Sequence, residues 1–192
     1  SMGAFTDYQG IQDLDLPYRV VRAIARHHAA PRHIVDRGCG FGTTPQPLYT
    51  EFQHADTLGV DISAPCLELA AHVAMKAQAK NVRFRQARAE ETGEPGQSFD
   101  LVTSTMLLHE MPPSVVEAVI EESYRLLQPG GWAIHLDFLA DDDAFARFVH
   151  YGHSRRNNEP YMRPLNEMDL DEAHRRAGFR KVTIRAFEEV PG

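Results

Sequence analysis

The chain reads as an α/β domain built on a doubly wound, mostly parallel sheet of the Rossmann-like kind, and three observations carry that expectation. Short β-branched runs alternate with amphipathic helical stretches, the pattern of a parallel sheet with crossover helices. The first run, His33-Ile34-Val35-Asp36-Arg37, opens into Gly38-Cys39-Gly40-Phe41-Gly42, with glycine at every second position. The second run ends in Asp61, about twenty residues beyond those glycines, where a carboxylate can accept from both hydroxyls of a ribose.

Length and composition agree. The 192 residues, 43% hydrophobic and 24% charged, suit one domain over 1–192 with a sizeable core. No apolar run approaches the ~18 residues of a membrane span, and no signal peptide is visible, Ser1-Met2-Gly3 resembling a tag-cleavage scar. The formal net charge of −7 argues against a nucleic-acid partner. Two cysteines, Cys39 and Cys66, suggest a reducing compartment, so the expected location is cytoplasmic.

In chain order, residues 17–29 place Val20, Val21, Ile24 and Ala25 on one helical face. His27 and His28 at its end point about 100° apart, a poor geometry for a shared metal. The first strand is expected over 32–36. Alternate glycines after it let the backbone turn sharply and let a ligand lie on the main chain. A helix follows over 44–53, with Pro45 and Pro47 in its first turn. The second strand is 56–61; Ser63 or a neighbour caps a helix over 65–79, with Leu67, Ala70, Ala71 and Ala74 inward. Alternation over 81–86 predicts a third strand, and Phe99 to Ser104 a fourth.

The helix over 113–127 turns Val116, Val119, Ile120, Tyr124 and Leu127 inward, closes at Gln128-Pro-Gly-Gly131, and leads to a fifth strand over 132–137. Asp141 to Asp143 cap a short helix over 144–151; at a helix N-terminus the dipole explains them without a metal. The polar, aromatic-rich stretch from Gly152 reads as a loop, so that residues 138–166 form a lid-like insert over the carboxyl edge of the sheet. A last helix over 170–177 and a sixth strand over 178–187 complete the pattern.

Several of these stretches resemble the class I S-adenosylmethionine (SAM)-dependent methyltransferases over roughly Ile34 to Phe187. They are Asp36-x-Gly-x-Gly-x-Gly, Ala89-Glu90 after the third strand, Ser98-Phe-Asp-Leu-Val102, and Arg125-Leu-Leu-Gln-Pro-Gly-Gly-Trp132. Asn157-Asn-Glu-Pro160, followed by an aromatic, extends the likeness into the insert. The resemblance implies SAM as cofactor and methyl transfer to a small-molecule acceptor, with the methylated atom open. It implies that Gly38, Cys39 and Gly40 approach the methionine part, while Asp36 orients its ammonium through water. Asp61 would hold the ribose hydroxyls, Ile62 lie against adenine, Ala89 and Glu90 meet the adenine edge, and Thr105 line the floor below the sulfonium. The family's seventh, antiparallel strand has no residues here: it lies outside this chain, a partner such as a second copy in a homodimer supplies it, or the sheet closes differently.

His109, in the loop after the fourth strand, is the candidate general base, because its unperturbed pKa lies near neutrality. From the insert, His153 and Tyr161 are weaker candidates, and Arg155, Arg156 and Arg163 could pair with a carboxylate or phosphate on the acceptor. An NAD enzyme would show a different glycine spacing. A nucleic-acid or protein methyltransferase is a second alternative, with base methylation disfavoured by the acidic balance and by the lack of an Asn-Pro-Pro-Tyr type motif after the fourth strand. The third is a catalytically silent methyltransferase-like binding or scaffolding module. Arg37, Arg88 at a position where adenine needs an acceptor, and the early end of the chain favour it.

Overall fold

A computed structural model describes residues 31–140 and 143–184. The expected helix over 17–29, Asp141, Asp142 and residues 185–187 of the expected sixth strand lie outside them. The described elements run β1 (His33–Arg37), α1 (Pro45–Glu51), β2 (Asp56–Asp61), α2 (Ala64–Lys76), β3 (Val82–Gln86), β4 (Phe99–Thr105), a 3₁₀ turn (Leu108–Glu110), α3 (Pro113–Leu126), β5 (Leu127–Leu136), α4 (Ala144–Asn157), α5 (Met162–Asn166) and α6 (Leu170–Ala177).

The five described strands form one sheet in the order β3-β2-β1-β4-β5, every pair parallel. The order reverses between β1 and β4, and the crevice beyond the carboxyl ends of these strands is where open α/β sheets bind ligands. Burial on both faces explains the near-continuous apolar runs. Ile34 packs with Leu48, Phe52, Ala55 and Leu101 on one side, and Val35, one residue on, with Leu58, Val60, Val102 and Leu126 on the other.

Local chemistry places most ends where expected. The predicted Pro-Gly-Gly turn is absorbed into β5 as an irregularity: Phe99 pairs with Leu127, but Leu101 pairs with Trp132. Ala71 is exposed, and only Leu67, Ala70 and Ala74 of α2 are buried, because the helix rests on the sheet by a narrow stripe. Tyr124 is 48% exposed; its ring covers Gly178 and stacks edge-on to Phe179, 5.3 Å away.

Two larger differences concern the carboxyl-terminal third. Gly152 to Asn157 belong to α4 and are not a loop. No proline interrupts the stretch before Pro160, and Gly152 costs a helix only about 1 kcal/mol relative to Ala. The helix stops at Asn158, whose φ of 57° makes a left-handed end. Residues 181–184 join no strand, so the expected sixth strand is absent among the described residues. Gly178 turns the chain with φ 114°, and Phe179 packs back against Tyr124 and His174.

Candidate active site at the carboxyl edge of the sheet

The turn after β1 is held to β2 by its own backbone. The N–H groups of Gly38 and Cys39 donate to the Val60 carbonyl at 2.8 and 3.0 Å, and that of Gly42 donates to the Cys39 carbonyl at 3.0 Å. Gly40 N–H donates to Asp61 Oδ2 at 2.8 Å. A phosphate cradle needs free N–H donors; at these four positions every donor is committed to the protein.

Asp61 closes the arrangement. Its other oxygen, Oδ1, accepts the N–H of Ser63 at 2.8 Å, while the expected cap from the Ser63 side chain is not made. Each carboxylate oxygen keeps a further lone pair, enough for two hydroxyl donors. Gly40 has φ 51°, and a Cβ there would meet nothing within 4 Å, so its open face is free for a ligand. Ile62 is 66% exposed, an apolar shelf directly after the carboxylate. A ribose-type carboxylate, an open glycine and an apolar shelf, without phosphate donors, fit adenosine joined to an amino acid.

Asp36 lies deeper. It is buried, accepting from Thr44 Oγ1 at 2.5 Å and Thr103 Oγ1 at 2.8 Å. Burial pushes its pKa up to about 6, against the opposing pull of the two hydroxyls and Arg37. The Cys39 side chain is buried beside Gly59, and burial pushes its thiol up, so Cys39 offers the site only its backbone.

The segment after β3 is gripped from below. Arg37 is fully buried and points away from the crevice, donating to the carbonyls of Ala89 and Val119 at 3.0 and 2.9 Å and to Ser123 Oγ. Burial lowers its pKa to about 10, so it keeps its charge at neutral pH. Glu122 accepts Thr92 N–H and Oγ1 at 3.1 and 2.6 Å. Arg88 pairs with Glu90 at 2.6 Å.

At the end of β4, Thr105 pairs with Leu136, and Met106 takes a φ of 57°, a conformation seldom adopted by a side-chain-bearing residue. The sharp turn leads into the 3₁₀ segment that carries His109. Its side chain is 4% exposed, and Nδ1 lies 2.5 Å from Asp137 Oδ1. Burial alone would lower the His109 pKa; the hydrogen bond and charge of Asp137, with Glu110 and Glu159 behind them, raise it above the ordinary histidine value. Nε2 faces Glu110 Oε1 at 3.4 Å.

Residues 34–131 match the model of a methyltransferase domain. The chain belongs to the class I SAM-dependent methyltransferases. It is 30% identical over 132 residues to an uncharacterized methyltransferase, YcgJ, of Bacillus subtilis, covering 69% of this chain and 49% of that protein. The crystal structure of YcgJ superposes with a TM-score of 0.61 at 23% identity, over 84% of this chain and 77% of that one. A putative methyltransferase from Bacillus halodurans gives a TM-score of 0.69 at 22% identity, over 81% and 67%. A ubiquinone biosynthesis O-methyltransferase of Albidiferax ferrireducens is 30% identical over 105 residues, 54% of this chain and 40% of that protein. The chain spans about half the length of the curated relatives it matches.

Within this methyltransferase domain the candidates from the insert divide. His153 is buried near His109, its Nε2 3.3 Å from Glu159 Oε2. Tyr161 is half-buried at the start of α5. Arg155 is exposed in the last turn of α4, and Arg163 pairs with Glu167 at 2.8 Å while lying over the Tyr151 ring.

Sequence reasoning missed two carboxylates. Asp137 follows β5, and an acid at a strand's carboxyl end was the signal already used for Asp36 and Asp61. Glu159 had no such signal; Ser154 fastens it to α4 through Ser154 Oγ to the Glu159 carbonyl, 2.6 Å, and Glu159 N–H to the Ser154 carbonyl, 2.9 Å. A separate hollow of about 540 Å³ opens at the opposite edge of the sheet, among His33, Asp56, Asn81 and Arg83. Its polar groups serve the fold: Asn81 donates to the carbonyls of Tyr49, Phe52 and Ala55, and Arg83 pairs with Glu94.

Proposed function

We propose that this chain binds SAM at the carboxyl edge of β1 and β2 and transfers its methyl group to a small-molecule acceptor held against His109. The observation that carries the reading is Asp61 bridging Gly40 N–H and Ser63 N–H beside the open face of Gly40 and the exposed Ile62. In this reading Asp61 takes the ribose hydroxyls, Ile62 lies on adenine, and Ala89 and Glu90 stand at the adenine edge. Gly38, Cys39 and Gly40 run along the methionine part, with Asp36 drawing its ammonium from beneath and Thr105 below the sulfonium.

Bound there, SAM supplies a methyl group on a positively charged sulfur. The chain's task is then mainly alignment, holding an acceptor atom about 3 Å from that carbon, in line with the bond that breaks. An acceptor that must lose a proton gives it up at His109, whose imidazole Asp137 orients and whose charge Asp137 stabilises. Residues 138–166 act as a cover within a single domain, with His153 and Tyr161 turned to acceptor recognition. Two features favour a small acceptor. His109 and His153 side chains are only 4% and 9% exposed, a depth suited to an enclosed molecule. The net charge of −7 opposes a polyanion, although relatives are named for menaquinone and for tRNA chemistry alike.

Calorimetry with SAM and S-adenosylhomocysteine tests the reading. Micromolar binding is expected, weakened about 10- to 100-fold by Asp61→Ala through loss of charge-assisted hydrogen bonds. Absence of binding at millimolar ligand would leave the silent-module reading in its place.

A further inference from the structure

The far side of the His109 ring is a second feature. Asp137 is fully engaged: Oδ1 serves His109 Nδ1 and Phe138 N–H, and Oδ2 accepts the N–H of Leu108 at 2.7 Å. With Nδ1–H given to Asp137, a neutral His109 turns the Nε2 lone pair toward carboxylates. Nε2 and one oxygen each of Glu110 and Glu159 lie within 4.8 Å of one another. Lone pairs facing each other at that range, on a ring 4% exposed, are relieved by a cation between them, either a proton on Nε2 or a metal ion. Glu159 adds an independent observation: its Oε2 is buried and accepts no hydrogen bond, although His153 Nε2 stands 3.3 Å away.

We propose that His109 Nε2, Glu110 and Glu159 bind a divalent first-row cation, of the Zn²⁺ or Mn²⁺ class. One imidazole and two carboxylates form a mixed nitrogen and oxygen set suited to these ions. Ligand atoms about 2.0–2.2 Å from an ion lie some 3–4 Å apart, so the three need to close by up to roughly 1–2 Å, within reach of rotamer adjustments of the two glutamates. Asp137 on the other ring nitrogen supplies the carboxylate–histidine support typical of metal sites. Three protein ligands leave a position open, as catalytic sites do, at the edge where the methyltransferase reading seats the acceptor. The inference rests on that reading for its role but not for the binding itself: with an ion on Nε2 the ring is no longer the base, and the ion would instead lower the pKa of an acceptor bound to it, whose proton then leaves to water.

Metal content after dialysis against Zn²⁺ or Mn²⁺ at about pH 8, where proton competition is weak, tests the site. The whole chain is used as wild type, Glu110→Gln, Glu159→Gln and the surface control Arg175→Ala. One ion per chain is expected in wild type and control, with affinity at least about tenfold lower in both glutamine variants. A metal-dependent rise in Tm should likewise be confined to wild type and control. Glu110 is 57% exposed, so its variant keeps the fold. No stoichiometric ion in the wild type, or equal binding by the glutamine variants, overturns the proposal. S-adenosylhomocysteine binding on the same samples separates the two readings: ligand bound without metal defeats this inference alone, and metal bound without ligand defeats the methyltransferase reading alone.

Discussion

Asp137 holds His109 by both ring and backbone: Oδ1 lies 2.5 Å from Nδ1, while Oδ2 accepts the N–H of Leu108 at 2.7 Å. One carboxylate after β5 thus fixes the position and the tautomer of a ring after β4. His109→Gln should lower kcat by on the order of 10²-fold or more, with SAM affinity unchanged. Asp137→Asn should also lower kcat without changing SAM affinity. Steady-state kinetics beside calorimetry checks the split; a parallel loss of SAM affinity would mean that the pair is only structural.

Asp36 should make both stability and SAM affinity depend on pH. Its folded pKa, about 6, lies above the ordinary 3.8, so its contribution to stability is whole below 3.8 and lost as pH rises through about 6. Asp36→Asn is therefore expected to exceed the parent in stability at about pH 8 by up to about 3 kcal/mol, and to match it near about pH 3.5. In the proposed reading the ammonium of SAM needs the ionised carboxylate. Parent affinity should thus fall below about pH 6, while that of Asp36→Asn stays flat and weak. Urea unfolding and calorimetry across pH read the two effects.

Gly40 separates a ligand cradle from a mere tight turn. A methyl group there meets no protein atom within 4 Å, so Gly40→Ala should cost only the ~1–2 kcal/mol of a left-handed alanine. SAM affinity should drop at least about tenfold, because the methyl group enters the ligand's space. Unfolding midpoints and binding, measured on the same variant, give the comparison.

Arg37 is expected to act on the adenine end from below. Arg37→Met removes the donor to the Ala89 carbonyl and should cost about 1–3 kcal/mol of stability. It should raise the KM for SAM while sparing kcat at saturation. Arg37→Lys should restore little of either, since a single ammonium cannot span the acceptors that the planar guanidinium reaches.

The glycine turn and the carboxylates beside it were more legible than the surroundings of His109. Asp36, Gly38, Gly40 and Asp61 stand at strand ends, and strand ends are marked by β-branched runs, turns and acids within a few residues. Arg88 illustrates the limit of such reading: its mismatch with the family pattern is a pairing with Glu90, two residues on. The loop expected at 152–157 failed for a related reason. Its polar side chains suggested a surface, but His153 and Ser154 are buried, so packing decided in favour of helix.

By itself the sequence determined the alternation of strands and helices, the glycine turn after β1 and the carboxylates at the ends of β1 and β2. These depend on periodicity, backbone freedom and capping, which act over a few residues. Only the tertiary structure decided that Arg37 would turn beneath the sheet to Ala89, 52 positions away, and that Asp137 would meet His109 across 28. It also decided that Glu159 would arrive beside them from the end of α4. Such contacts depend on which strands become neighbours and how α3 and α4 pack on them, and no local pattern of residues encodes that.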